Sequence, residues 1–96
     1  MIGEALRLIR VFHDTSVSDL ATELEISQSY LSEIENGKKP PPLTLIDKYA
    51  KHFHTTTSAI MFFSEDIDTS KSKNKKDKIR EILFKFLKAI ENAGSK

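Results

Sequence analysis

The sequence predicts an all-α fold: a five-helix domain over residues 1–64, a polar linker over 65–77, and a C-terminal amphipathic helix with its tail over 78–96. Two observations carry that prediction. Outside the linker, the long segments repeat their apolar residues at spacings of three and four, the signature of one buried helical face. The stretch SVSDLATELEISQSYLSEIENG, residues 16–37, adds helix-start and helix-stop residues twice in a short span, so two brief helices joined by a tight turn stand at its centre.

The first element, over 3–13, places Ile2, Ala5, Leu6, Ile9 and Phe12 on one side. Leu8 and Val11 fall off that face, to be covered by neighbouring helices or to touch the C-terminal segment or a second subunit. In the central stretch Ser16 is a good N-cap, with Asp19 three residues on in an acidic variant of the capping box. Leu20, Ala21 and Leu24 then share a face, and Ala21 must be small if the two helices cross at close range. Ser27 caps the next helix, Leu31 and Ile34 carry its buried face, and Gly37 stands where a left-handed residue ends a helix. Ile26 is the apolar peg between them.

Lys38-Lys39-Pro40-Pro41-Pro42 is a stiff connector whose last proline can open a helix. Leu43, Ile46, Tyr49, Ala50 and Phe53 mark the face of a fourth helix. Thr55, Thr56 and Thr57 hold the next cap, and Ala59, Ile60, Met61, Phe62 and Phe63 form a short closing helix. Residues 64–77 show no apolar periodicity and hold a single apolar residue, Ile67, so they read as solvated linker. Its KSKNKK run is a solvated charge run before it is a DNA-touching arm.

The last element, over 78–93, gathers Ile79, Ile82, Leu83, Phe86, Leu87, Ala89, Ile90 and Ala93 on one arc, with Phe84 alone on the polar side. Such a helix needs a partner, because each large apolar side chain left in water forgoes about 1.5–3 kcal/mol. It can pack on its own domain, on its twin in another subunit, or on a different protein. The intervening polar linker favours the twin, with a homodimer interface of Ile79, Ile82, Leu83, Phe86, Leu87 and Ile90.

Ninety-six residues of 39% apolar content make one small domain with a modest core, or a smaller domain with an appendage. The chain has no cysteine, so packing must supply the stability. No apolar run approaches a membrane span or a signal sequence, which gives the expectation of a soluble cytoplasmic protein with no membrane partner. The net charge of +1 is unevenly placed. Residues 1–64 hold six Lys or Arg against eight Asp or Glu, a net of −2, which leaves +3 for the remainder. An enzyme is hard to build from this chain. His13, His52 and His54 are scattered, no nucleophile has a paired base, and no glycine loop can cradle a phosphate. Glu65, Asp66 and Asp68 lack a companion ligand for a metal, and no cofactor is called for.

The central pattern resembles the helix-turn-helix of the phage repressor and Cro type, the XRE family of bacterial and phage regulators. Ser16, Leu20-Ala21, Leu24, Ile26-Ser27, Gln28-Ser29-Tyr30-Leu31-Ser32 and above all Ile34-Glu35-Asn36-Gly37-Lys38 carry the resemblance. It covers roughly the first two-thirds of the chain. It implies a cytoplasmic DNA-binding protein acting at the nucleoid, a repressor that reads a palindromic operator in double-stranded DNA as a homodimer. The alternative is an antitoxin-like interaction protein whose C-terminal helix docks a different protein.

In a helix-turn-helix the start of the second helix enters the major groove, so Gln28, Ser29, Ser32 and Glu33 are the candidate readers of base edges. Arg10, Ser16, Ser18, Tyr30, Asn36, Lys38 and Lys39 are the candidate contacts to the DNA backbone. The resemblance also implies that Arg10 pairs with Glu35. It further implies positive φ at positions 14, 25 and 54, where relatives use glycine and this chain has Asp14, Glu25 and His54. The glutamine that serves relatives as a phosphate ligand just after the first N-cap is Val17 here.

Overall fold

The computed structural model describes residues 1–69 and 80–88, and all of its regular structure is helical. Five helices follow in order: α1 (Ile2–Phe12), α2 (Val17–Leu24), α3 (Gln28–Glu35), α4 (Leu43–His52) and α5 (Thr57–Thr69). A sixth, α6, spans 80–88. α1 packs against α3 and α5, α2 against α3, and α4 against α5. The core at their junction is built from Ala5, Leu6 and Ile9 of α1, Leu20, Ala21 and Leu24 of α2, Leu31 and Ile34 of α3, and Leu45, Ile46, Tyr49 and Ala50 of α4. Phe53, Ile60, Phe63 and Ile67 complete it from the α4–α5 side.

Gly3 sets how closely α1 and α3 approach. A Cβ at this position would lie 2.3 Å from the Ile34 carbonyl oxygen and 3.3 Å from that of Glu35, so any side chain there would push the end of α3 away. Glycine costs helix stability at most positions, and here the close approach requires it.

The helix ends share one device. After α1, α2, α3 and α4, a residue at positive φ turns the chain: Asp14 at 54°, Glu25 at 60°, Gly37 at 79° and His54 at 57°. The next residue then returns its N–H to a carbonyl five positions back, as Thr15 to Arg10, Ile26 to Ala21, Lys38 to Glu33 and Thr55 to Ala50, at 2.8–3.2 Å. These are Schellman closures, which satisfy carbonyls that the helix leaves without partners. The three non-glycine positions are those the family resemblance implies. The starts are capped as expected: Ser16 Oγ accepts from the Asp19 N–H at 3.0 Å, Ser27 Oγ from that of Tyr30 at 3.1 Å, and Thr56 Oγ1 from that of Ala59 at 3.1 Å.

The structure corrects the sequence expectation in four places. Phe12 is 52% exposed, because at 100° per residue it lies about 60° round α1 from Ile9, at the margin of the buried arc. Leu43 is 64% exposed at the first turn of α4, and Leu45 takes its place in the core. Met61 and Phe62, for which the sequence assigns no face, are exposed on α5. The helix also runs on to Thr69, beyond the expected domain boundary at 64, because Ile67 follows Phe63 by four residues and so stays on the buried face.

The fourth correction concerns the last helix. Leu83 and Phe86 are buried within the same chain, and the Phe86 ring stacks on that of Phe63, with centroids 4.8 Å apart. Ile82 and Leu87 are partly buried against the core, and Phe84 is exposed as its place on the polar side requires. Two residues of the expected twin interface are thus buried in cis, one of them against Phe63 of α5. Ile79 and Ile90 of the expected interface lie outside the described residues, as does most of the linker.

Glu25 is the clearest point of backbone strain, since it lacks the short polar side chain with which Asp tolerates a left-handed conformation. Replacing Glu25 by Gly is expected to raise stability by about 1 kcal/mol, read from the midpoint of urea unfolding. An unchanged or lowered midpoint would show the turn to be unstrained.

Candidate nucleic-acid interface

The geometry of α3 begins with its cap. Ser27, in extended conformation, accepts from the Tyr30 N–H and starts the helix at Gln28. That start leaves Gln28 and Ser29 exposed on the first turn, while Leu31 and Ile34, on the opposite side, are fully buried. The three-residue turn of Glu25, Ile26 and Ser27 holds α2 against α3, with Ile26 packed on the core as the peg. Lys48 Nζ of α4 donates to the Leu24 carbonyl at 3.0 Å, placing a cation at the negative end of α2.

The far end of α3 is held by a buried charge. Glu35 is 5% exposed, and its carboxylate accepts from Arg10 Nε at 3.0 Å to both oxygens, with Arg10 Nη2 2.9 Å from Oε1. Tyr49 Oη donates to Glu35 Oε2 at 2.7 Å, and Arg10 Nη1 donates to the Thr15 carbonyl at 2.9 Å. The pairing of Arg10 with Glu35 implied by the family resemblance is present. Burial pushes the Tyr49 hydroxyl pKa far above the ordinary tyrosine range. The hydrogen bond to Glu35 and its negative charge raise it further, and Arg10 opposes them.

Beyond α3 the chain doubles back. The Lys38 and Lys39 N–H groups both donate to the Glu33 carbonyl, at 2.9 and 3.3 Å. Lys39 Nζ lies 3.5 Å from Glu33 Oε2 and 5.8 Å from the centroid of the Tyr30 ring.

Gln28, Ser29, Asn36, Lys38 and Lys39 therefore lie exposed at or just beyond the two ends of α3, and Tyr30, Ser32 and Glu33 are half-buried along it. Ser16 and Ser18 are exposed at the start of α2. Arg10 is drawn inward: its guanidinium serves Glu35 and Thr15, and its side chain is 14% exposed. Sequence reasoning missed three contributors: the Tyr49 hydroxyl, Lys48 and Gly3. A tyrosine on a fully apolar helix face was the available signal for the first, because a buried phenol needs a hydrogen-bond partner. A glycine in the first turn of a helix was the signal for Gly3.

A short helix with an exposed polar start, its rear face sunk in the core and a second helix braced across it, is the helix-turn-helix arrangement for DNA binding. Residues 6–60 match the family model described as Helix-turn-helix. The chain belongs to this XRE-type helix-turn-helix family of transcriptional regulators. It is 34% identical over 61 residues to an uncharacterized HTH-type transcriptional regulator of Methanocaldococcus jannaschii, covering 64% of this chain and 92% of that protein. It is also 43% identical over 47 residues to an uncharacterized HTH-type transcriptional regulator of Archaeoglobus fulgidus, covering 49% of this chain and 20% of that longer protein. No solved structure matches the chain significantly. No helix among the described residues is long and apolar enough to cross a membrane.

Tyr49→Phe removes one donor from a buried carboxylate and is expected to cost about 1.5–3 kcal/mol near neutral pH. It also changes the pH dependence. Below a pH of about 10 both folded and unfolded chains keep the Tyr49 proton, and this group adds no slope. Above it the unfolded chain releases the proton and the folded chain retains it, so stability falls as pH rises. Urea unfolding between about pH 9 and 11 should show that fall in the unsubstituted protein and a shallower one in Tyr49→Phe. Equal slopes would place the hydroxyl in water.

Proposed function

We propose that the protein is a transcriptional repressor that reads a palindromic operator as a symmetric dimer. The exposed first turn of α3, fixed in angle by the Glu35 clamp, carries this reading. Gln28 bonds adenine N6 and N7, Ser29 and Ser32 lie along the groove, and Glu33 accepts from cytosine N4. Ser16, Ser18, Tyr30, Asn36, Lys38 and Lys39 hold phosphates and sugars and set the register. Arg10 acts through Glu35 by holding α3 in place.

A second copy supplies what one domain lacks. Residues 1–64 carry a net of −2, so a single head has few cations for phosphate, and Val17 removes one usual ligand. Two heads on a twofold axis raise the effective concentration and match half-sites about 34–36 Å apart. With Leu83 and Phe86 occupied in cis, the seam on α6 is formed by the partly buried Ile82 and Leu87. The double substitution of Ile82 and Leu87 by Glu should give a folded monomer with operator affinity lower by at least tenfold, followed by sedimentation and by titration of labelled duplex. A dimer of unchanged affinity would move the seam elsewhere, with the half-exposed Leu8 and Val11 of α1 as the next surface to test.

Selection of bound duplexes from a random pool tests the DNA reading directly. On a selected operator Gln28→Ala is expected to cost about 1–3 kcal/mol and to relax preference at one base position. Lys38→Ala should weaken operator and random DNA alike and reduce the salt slope by about 1. Equal loss on both DNAs for Gln28→Ala would remove that side chain from the readers.

A further inference from the structure

The return of the chain after α3 builds a small device at the edge of the reading surface. The Lys39 backbone is anchored to the Glu33 carbonyl, and its side chain reaches back over the Tyr30 ring to the carboxylate of the same Glu33. Pro40 follows directly and disfavours helical conformation at Lys39, which narrows the backbone states open to it. The pair is exposed, with Lys39 at 53% and Glu33 at 39%, and such surface pairs are weakly held.

We propose that Lys39 is a specificity-determining residue because it leaves the Glu33 carboxylate for a DNA phosphate only where the base facing Glu33 is a cytosine, whose amino group takes its place. The inference rests on the proposed DNA-reading role of α3 and deepens it. A carboxylate entering the groove needs a donor. A cytosine amino group supplies one, and Lys39 is then released to a phosphate. Where the facing edge presents guanine O6 or thymine O4, both acceptors, or adenine, whose N6 donor stands beside the N7 acceptor that repels the second carboxylate oxygen, Glu33 keeps Lys39 and the phosphate contact is not made. Base reading and phosphate binding are thereby coupled through one exchanged ion pair, and Tyr30 guides the lysine between its two positions.

The test uses the full chain on a duplex recovered from a random pool and on that duplex with each of the other three base pairs at the position where Glu33→Gln alters preference. The unsubstituted protein should show a salt dependence of log Kobs steeper by about 0.9 on the preferred pair, the increment for one extra phosphate. Lys39→Met should lower affinity on the preferred pair, leave the other three nearly unchanged and remove the slope difference. Glu33→Gln should remove the slope difference and reduce discrimination at that position from about tenfold to near unity. Equal slopes on all four pairs, an equal loss on all four with Lys39→Met, or no position altered by Glu33→Gln overturns the exchange while leaving DNA reading intact. Recovery of no duplex overturns the DNA-reading role and the exchange with it.

Discussion

A buried carboxylate at the end of α3 is the constraint from which the angle of that helix follows. Glu35 draws on α1 through Arg10, on α4 through Tyr49 and, through Arg10 again, on the carbonyl of Thr15 just before α2. An uncompensated charge in that position would cost several kcal/mol, so each element is held where its donor reaches. Replacing the set by apolar side chains can be neutral in stability, so its contribution lies in geometry. Carboxylate, guanidinium and phenol accept only a narrow range of distances and angles. Gly3 supplies the complementary condition by letting α1 come close enough for Arg10 to arrive.

The shortness of the helices makes their ends as important as their faces. α2 and α3 have eight residues each, too few to hold as isolated helices. Serine caps at both starts and Schellman closures at both ends satisfy backbone groups that longer helices satisfy internally. Three of the four closures in the domain use a residue other than glycine, which concentrates backbone strain at Asp14, Glu25 and His54. His13 helps at the first of them: its Nδ1 lies 2.7 Å from the Ile9 carbonyl and its ring rests against Phe53.

What could be read from the sequence divides along the range of the interactions. Ser16, Ser27 and Gly37 announce the reading motif because caps and left-handed turns depend on residues a few positions apart. Arg10 and Glu35 were legible only because the motif resembles a known family, since nothing local connects positions 25 apart. Periodicity places a side chain on an arc and does not say what covers that arc. Phe12 and Leu43 lie at arc margins and stay outside. Ile67 reads as linker in the sequence because its polar neighbours hide its spacing from Ile60 and Phe63. The cis docking of Leu83 and Phe86 depends on Phe63, across a linker with no pattern to reveal it. Residue types mark Glu33 and Lys39 separately as candidate DNA contacts, while their pairing comes from the doubling back of the chain after Gly37.

The docking of α6 changes how a dimer would relate its two reading heads. A free linker would let each head find its half-site independently. With Phe86 stacked on Phe63, α6 is attached to α5, which packs in turn on α1, and α1 holds Glu35 of α3 through Arg10. A twofold seam on α6 would then be joined to each α3 through packed helices. The spacing of the two reading helices would be a property of the protein, and the operator would have to match it in distance and in helical phase. One inserted base pair rotates a half-site by about 34–36° and advances it by about 3.4 Å, a mismatch that a packed scaffold accommodates by deforming the DNA or by losing one head's contacts. Discrimination by half-site spacing would thus be added to base reading without any residue touching the central base pairs.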